Sequence, residues 1–392
     1  MGRSSLVIHG PVLTDGRELP AARIETANGR IVAVRPGGGA DGADLVVADG
    51  WIIPGLIDLQ VNGAGGVDLT SAHDPDEAVA AVAGVLAQHG VTAFCPTVVS
   101  SPPEAIPSRL VAYGARAHPG GAESLGAHLE GPFLDPEHRG VHDPAALRLP
   151  DAGEIERWLA TRHPTIVTLA PELPGALAAI RRLAEAGVVV SLGHSGADAA
   201  AARAGLEAGA RMGTHLFNAM PPFHHRQPGL VGALLAGSAT LGIIADGVHV
   251  DPLAIDVAVR AAGPGRIALV SDALAAAATP PSPSRLGAQT VLSDGRIARR
   301  ADGTMAGSAI LLDGGLRNVR SWLPWLPPAE VVRMATRTPA EALGGDVAAR
   351  KGRVAPGYDA DLVILDPDWQ VVATVVRGVV LDTSSSKVPS TR

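Results

Sequence analysis

Four apolar runs in this chain each end on one carboxylate or imidazole and then break. The run from Leu125 to Leu129 delivers Glu130, and Gly131 and Pro132 follow at once. Val188 to Leu192 leads through Gly193 to His194, the segment from Arg211 leads through Thr214 to His215, and Ile267 to Ser271 leads to Asp272. A short continuous apolar run bounded by turn residues reads as a fully buried strand. A polar residue placed just past it stands at the strand's C-terminal rim. One Glu, two His and one Asp on four such ends demand a fold that gathers many strand ends at one place.

Strand-like runs cover 52–58, 91–98, 125–129, 165–169, 188–192, 211–215, 241–245 and 267–271. Helical spacing of apolar residues over 76–89, 176–186 and 197–208 separates several of them. This α/β rhythm predicts a (β/α)8 TIM-type barrel, whose active site lies at the C-terminal ends of its strands. A doubly wound open sheet is the rival, but it has no need of polar groups from so many separate strand ends.

The two chain ends read differently. Short alternating strands with Asp15-Gly16 and Asn28-Gly29 turns fill the start, and strands broken by Asp366-Pro367 and Arg377-Gly378 fill the end. Neither end has the apolar content to fold alone. They are expected to join in a small β-sandwich domain, with residues 1–52 and 353–382 flanking a catalytic barrel over 53–352. The Ser-rich stretch 383–392 is expected to be a disordered tail.

The formal net charge of -7 argues against nucleic acid as a partner. No apolar run reaches the roughly 18 residues a membrane span requires, and the first residues lack the apolar core of a signal peptide. With a single cysteine, Cys95, inside an apolar run, the expected setting is the cytoplasm and the expected role of the thiol is core packing.

Glu130, His194 and His215 are the candidate ligands of a divalent metal, since a Glu/His set with open positions suits a catalytic site. Either histidine alone reads more readily as a hydrogen-bonded core or surface residue; three such groups on three strand ends point to a metal. Asp272 fits a proton acceptor beside an activated water, although taken alone it reads more readily as an N-cap for the residues after it.

In order along the chain stand His128-Leu129-Glu130-Gly131-Pro132-Phe133, Leu192-Gly193-His194-Ser195, Thr214-His215-Leu216-Phe217-Asn218-Ala219-Met220-Pro221, Ala245-Asp246-Gly247-Val248-His249 and Val270-Ser271-Asp272-Ala273. This set resembles the N-acetylglucosamine-6-phosphate deacetylase family of the amidohydrolase superfamily, from about Pro54 to Ala342 and again at Gly357 to Leu362. The resemblance implies hydrolysis of N-acetyl-D-glucosamine 6-phosphate to D-glucosamine 6-phosphate and acetate. It makes Glu130, His194 and His215 the metal ligands and Asp272 the catalytic aspartate. It gives His142 a catalytic and substrate-contacting role at the acetamido group, and assigns substrate contacts to Asn218, Ala219 and His249. Arg226 matches a phosphate-binding arginine that enters the site of the neighbouring subunit, which implies a homodimer.

Where most of the superfamily carries His-x-His after the first strand, this chain reads Gln60-Val61-Asn62. Amides are poor transition-metal ligands beside imidazole, so one metal per subunit is expected: zinc first, with iron or manganese as alternatives. Gly196 stands where relatives often carry a polar side chain, which leaves sugar selectivity open. His224 and His225 read either as helpers of Arg226 or as exposed residues. The Asn62 to Gly66 stretch reads as a tight strand-exit turn, because it lacks the ending of a phosphate-binding loop. Two other functions fit less well. One is deacetylation of a related substrate such as N-acetylgalactosamine 6-phosphate. The other is a catalytically silent sugar-phosphate binder, against which the intact ligand and aspartate set argues.

Overall fold

The computed structural model describes residues 5–161, 164–287 and 289–382. Eight parallel strands run Leu56–Val61, Val91–Val99, His128–Glu130, Ile166–Leu169, Val189–Leu192, Met212–Gly213, Thr240–Ile244 and Ile267–Val270, each hydrogen-bonded to the next. Every residue of the first five is buried. Side chains fill the barrel on one face and meet the helical ring on the other, as a parallel sheet covered on both faces requires. The ring closes because Asp272 N–H donates to Gln60 O at 3.0 Å and Asn62 N–H to Ala273 O at 2.8 Å. The eighth strand is thereby tied to the first, and Asp272 stands beside Asn62.

The helices behave as their sequences dictate. Pro75–Gln88 begins behind Asp74, whose carboxylate accepts from the Asp76 and Glu77 N–H groups, and Pro75 occupies the first turn where no backbone donor is needed. Asp198 caps Ala199–Glu207, and Asp251 followed by Pro252 opens Pro252–Ala262 in the same way. The three helical segments expected from spacing correspond to Pro75–Gln88, Ala176–Glu185 and Ala199–Glu207.

The chain ends meet as expected. Trp51–Pro54 and Ser5–Thr14 lie at the centre of one sheet that continues through Leu362–Leu365 and Val371–Val376 on one side and Arg17–Ala27 and Arg30–Pro36 on the other. Ile8, Ile24, Ile52, Leu362 and Val375 form its own core.

Three boundaries differ from the sequence reading. The expected strand 52–58 is two strands. Trp51–Pro54 pairs in the terminal sheet and Leu56–Val61 enters the barrel, with Gly55 at the handover, where a Cβ would sit 2.0 Å from Thr92 Oγ1. The expected strand 125–129 shortens to His128–Glu130 because Gly126, at φ +102°, turns the chain just before it. The expected strand 211–215 shortens to Met212–Gly213 as the backbone bends to present His215. One unit went unread: Pro283–Leu286, Gln289–Ser293, Ile297–Arg299 and Met305–Ser308 form an antiparallel sheet inserted after the eighth barrel strand. The tail expected at 383–392 lies outside the described residues. Among those described, no helix is long and apolar enough to cross a membrane. Cys95 is fully buried, and burial pushes its thiol up, away from reactivity.

Candidate metal centre

His194, His215 and Asp272 each follow a barrel strand with positive φ, 49°, 27° and 49° respectively. Non-glycine residues in this region are uncommon and concentrate at functional sites. Here the left-handed turn swings each side chain from the strand end into the barrel mouth. Glu130 reaches the same point directly as the last residue of its strand.

The Glu130 carboxylate is the hub. Its Oε1 lies 3.2 Å from His194 Nε2 and 3.1 Å from His215 Nε2, and these two nitrogens are 3.0 Å apart. Among the described residues, these three form the one group whose ligand atoms converge within 4.8 Å in the manner of a metal site. The donor set fits a cation. His194 Nδ1 faces the His138 carbonyl at 3.0 Å, so the ring proton sits on Nδ1 and Nε2 presents a bare lone pair. Burial opposes ionisation of Glu130, but the His142, His194 and His215 side chains around it outweigh that and hold the carboxyl well below its usual range. An ionised carboxylate and two facing imidazole nitrogens is the ligand chemistry of a divalent transition metal.

Gln60 and Asn62 anchor the two acidic groups. Gln60 Nε2 donates to Glu130 Oε1 at 2.8 Å, and Asn62 Nδ2 donates to Asp272 Oδ1 at 2.7 Å. Burial pushes the Asp272 carboxyl up to about 8, and the nearby Glu130 charge adds to the rise. Asp58, one layer below, is pushed up to about 6 by complete burial, although Oδ1 accepts from the Gln60 and Ser271 N–H groups.

His142 stands on the loop after the third barrel strand. The Ser100 N–H donates to its Nδ1 at 3.2 Å, and Ser100 Oγ lies 2.8 Å from the same nitrogen. A backbone amide can only donate, so the neutral ring carries its proton on Nε2, which lies 3.7 Å from Glu130 Oε2. His142 is therefore a ready hydrogen-bond donor beside the ligand cluster.

Glu130, His194, His215, Asp272, Asn62 and His142 line a cavity of about 200 Å³, and Asn218, Ala219 and His249 line it too. Asp246 orients His249: its Oδ2 lies 2.6 Å from His249 Nδ1, while Oδ1 accepts from the Val248 and His249 N–H groups at 2.8 Å. The structure thus brings every sequence-selected residue together except Arg226. That side chain is exposed on the 221–228 loop, outside the cavity lining, as are His224 and His225, whose rings pack 4.4 Å apart. Gly196 also lies outside the lining. A Cβ there would approach Asp135 Oδ2 to 2.9 Å and His138 to 3.0 Å, so packing explains the glycine.

Sequence reasoning missed several contributors. Ser100 and the His138 carbonyl orient histidines but carry no motif. Asp246 was visible as an aspartate three residues before His249, the spacing of a side chain that caps its own loop. Leu286 and Thr304 to Gly307 of the inserted sheet line the cavity, and only the pairing of that sheet brings them there.

A parallel barrel with Glu130, His194 and His215 converging at its strand ends defines a metal-dependent hydrolase of the amidohydrolase type. The amidohydrolase family profile matches residues 51–382, and the chain belongs to that family. Within it the chain belongs with the N-acetylglucosamine-6-phosphate deacetylases: it is 43% identical to the human enzyme of that name over 343 residues, 83% of this chain and 82% of the relative. A Mycobacterium smegmatis N-acetyl-D-glucosamine-6-phosphate deacetylase, an aspartate-to-alanine mutant in complex with N-acetyl-D-glucosamine-6-phosphate, superposes with a TM-score of 0.89 at 34% identity. The match covers 96% of this chain and 99% of that one. An N-acetylgalactosamine-6-phosphate deacetylase from Escherichia coli O157:H7 is 36% identical, covering 94% of this chain and 96% of the relative.

Proposed function

We propose that this chain hydrolyses the acetamide of N-acetyl-D-glucosamine 6-phosphate, releasing acetate and D-glucosamine 6-phosphate. The observation that carries the reading is the meeting of Glu130, His194, His215, Asp272 and His142 in one cavity. Glu130, His194 and His215 would hold one divalent transition metal, zinc in the first instance, supplying a Lewis acid for the carbonyl and activating water near neutral pH. Asp272 takes the proton of the attacking water and returns it to the departing amine. Asn62 fixes the orientation of that carboxylate. His142 Nε2–H donates to the acetamide oxygen as negative charge develops on it. Asn218, the Ala219 backbone and His249, held by Asp246, bind the sugar.

A phosphate calls for a cation, and the protein is net acidic. Arg226 is the proposed anchor, because a guanidinium matches phosphate oxygens and stays charged. It is outside its own chain's cavity, so the proposal includes a homodimer in which the 221–228 loop reaches the partner's site. Phe223 on that loop and Leu253 and Val257 on the helix Pro252–Ala262 are 57%, 69% and 53% exposed and border one apolar groove, a surface suited to a second copy. A buried lone thiol and the absence of an apolar span among the described residues support a cytoplasmic setting.

The Escherichia coli relative favours one second reading, in which the substrate is the galactosamine epimer. Acetate release measured on the 6-phosphates of N-acetylglucosamine and N-acetylgalactosamine and on the free sugars, each with zinc, iron or manganese, tests both. No release from any of the four would overturn the function.

A further inference from the structure

Directly beneath the ligand cluster, five barrel strands are joined by one buried side-chain chain. His128 Nδ1 lies 2.9 Å from the Leu59 carbonyl, and its Nε2 lies 2.7 Å from Thr168 Oγ1. Thr168 Oγ1 lies 2.7 Å from Thr214 Oγ1, which lies 2.6 Å from Ser191 Oγ. All four side chains are fully buried.

The direction of every bond follows from its end. The Leu59 carbonyl only accepts, so His128 Nδ1 donates. The ring is fully buried with no carboxylate on either nitrogen, so it is neutral and its Nε2 accepts from Thr168. Thr168 has then spent its hydroxyl proton and accepts from Thr214, which accepts from Ser191. Each hydroxyl donates once, along one path.

The members sit where ligand spacing is set. His128 is two residues before Glu130, Ser191 three before His194 and Thr214 immediately before His215, while Leu59 precedes Gln60, which holds Glu130. Packing alone would be met by valine or leucine at these interior positions. We propose that His128, Thr168, Thr214 and Ser191 are positioning residues that fix the spacing of Glu130, His194 and His215, so that metal affinity depends on this chain of hydrogen bonds. The inference rests on the reading of those three residues as ligands.

Thr168→Val removes the central link while keeping the shape. It leaves His128 Nε2 without a donor and Thr214 without an acceptor. Zinc affinity measured by chelator competition, on protein whose fold is checked by circular dichroism in the metal-free form, should fall about 10- to 100-fold, the usual range for groups that orient metal ligands. Thr168→Ser keeps the hydroxyl and should stay within a few-fold of wild type. Ser191→Ala removes only the terminal donor and should weaken zinc less than Thr168→Val. If Thr168→Val does not fold, Thr214→Ala cuts the same chain and is read in the same way. Wild-type zinc affinity in the folded cut variant, or an equal loss in Thr168→Ser, overturns the proposal. Glu130→Gln measured in parallel separates the two levels. If it keeps zinc, the ligand reading itself fails; if it loses zinc while Thr168→Val does not, only the positioning role fails.

Discussion

The Asn62 carboxamide donates to Asp272 Oδ1 at 2.7 Å across the seam where the first and eighth barrel strands close. Asn62 thus orients the Asp272 carboxylate. The barrel seam does the same for the backbone, since Asp272 N–H donates to Gln60 O. The first strand thus contacts both acidic groups through carboxamides, Gln60 on Glu130 and Asn62 on Asp272.

Asp272→Asn keeps the shape of the side chain and removes its basicity. Turnover should fall at least about 10²-fold, the lower end of what a positioned acid–base group contributes, with zinc content unchanged. Steady-state kinetics beside elemental analysis checks this, and near-normal turnover would return Asp272 to a capping role.

Asn62→Ala tests the pairing itself. Burial, then the Glu130 charge, raise the Asp272 pKa, and the Asn62 hydrogen bond opposes that rise. Without Asn62 the carboxyl protonates at higher pH. Because the reaction needs it ionised, the acid limb of the kcat profile should move to higher pH. A limb that stays in place or moves the other way would show that Asn62 does not tune Asp272.

Metal content follows from Gln60 and Asn62. Purified protein should hold about one transition metal per chain, and Glu130→Gln, His194→Ala and His215→Ala should each lower occupancy and activity together. Two full-occupancy metals per active chain would refute the single-site reading.

Asp58 makes a stability prediction. Its folded pKa is raised by burial to about 6 from an ordinary 3.8. The stability it contributes is present below the unfolded value and is lost as pH rises through the folded one, amounting to as much as roughly 3 kcal/mol. Asp58→Asn removes that loss, so its melting temperature relative to wild type should climb from about pH 4 to about pH 6 and level off above. A difference independent of pH would mean the carboxyl is not titrating in the fold.

Arg226→Ala should weaken use of the 6-phosphate far more than use of unphosphorylated N-acetylglucosamine. Mixed with Asp272→Asn subunits it should regain part of the activity, because a hybrid dimer contains one site with both residues intact. Exchange of subunits without recovery would place Arg226 elsewhere in the reaction, or outside it.

The strand-end pattern was legible because a parallel barrel buries its strands on both faces and leaves polar chemistry only at their ends. Glu130, His194, His215 and Asp272 stand out locally for that reason, and so does the β-character of both termini. Boundaries were less legible: Pro54-Gly55 interrupts the run over 52–58, but only the different partners of Trp51–Pro54 and Leu56–Val61 show that it is two strands. The sheet from Pro283 to Ser308 was missed because its short, mostly polar strands lack a buried face long enough to give an alternating pattern.

By itself the sequence determined the barrel class and the joining of the two ends and singled out Glu130, His194, His215 and Asp272 as strand-end groups, because each follows from a local pattern of apolar and polar residues. The tertiary structure alone decided which groups hold the site's side chains: Gln60 on Glu130, Asn62 on Asp272, the His138 carbonyl on His194, and His128 in its chain through Thr168. Those pairs are far apart in sequence, and a hydrogen bond depends on distances of a few ångströms that only barrel closure and strand register establish.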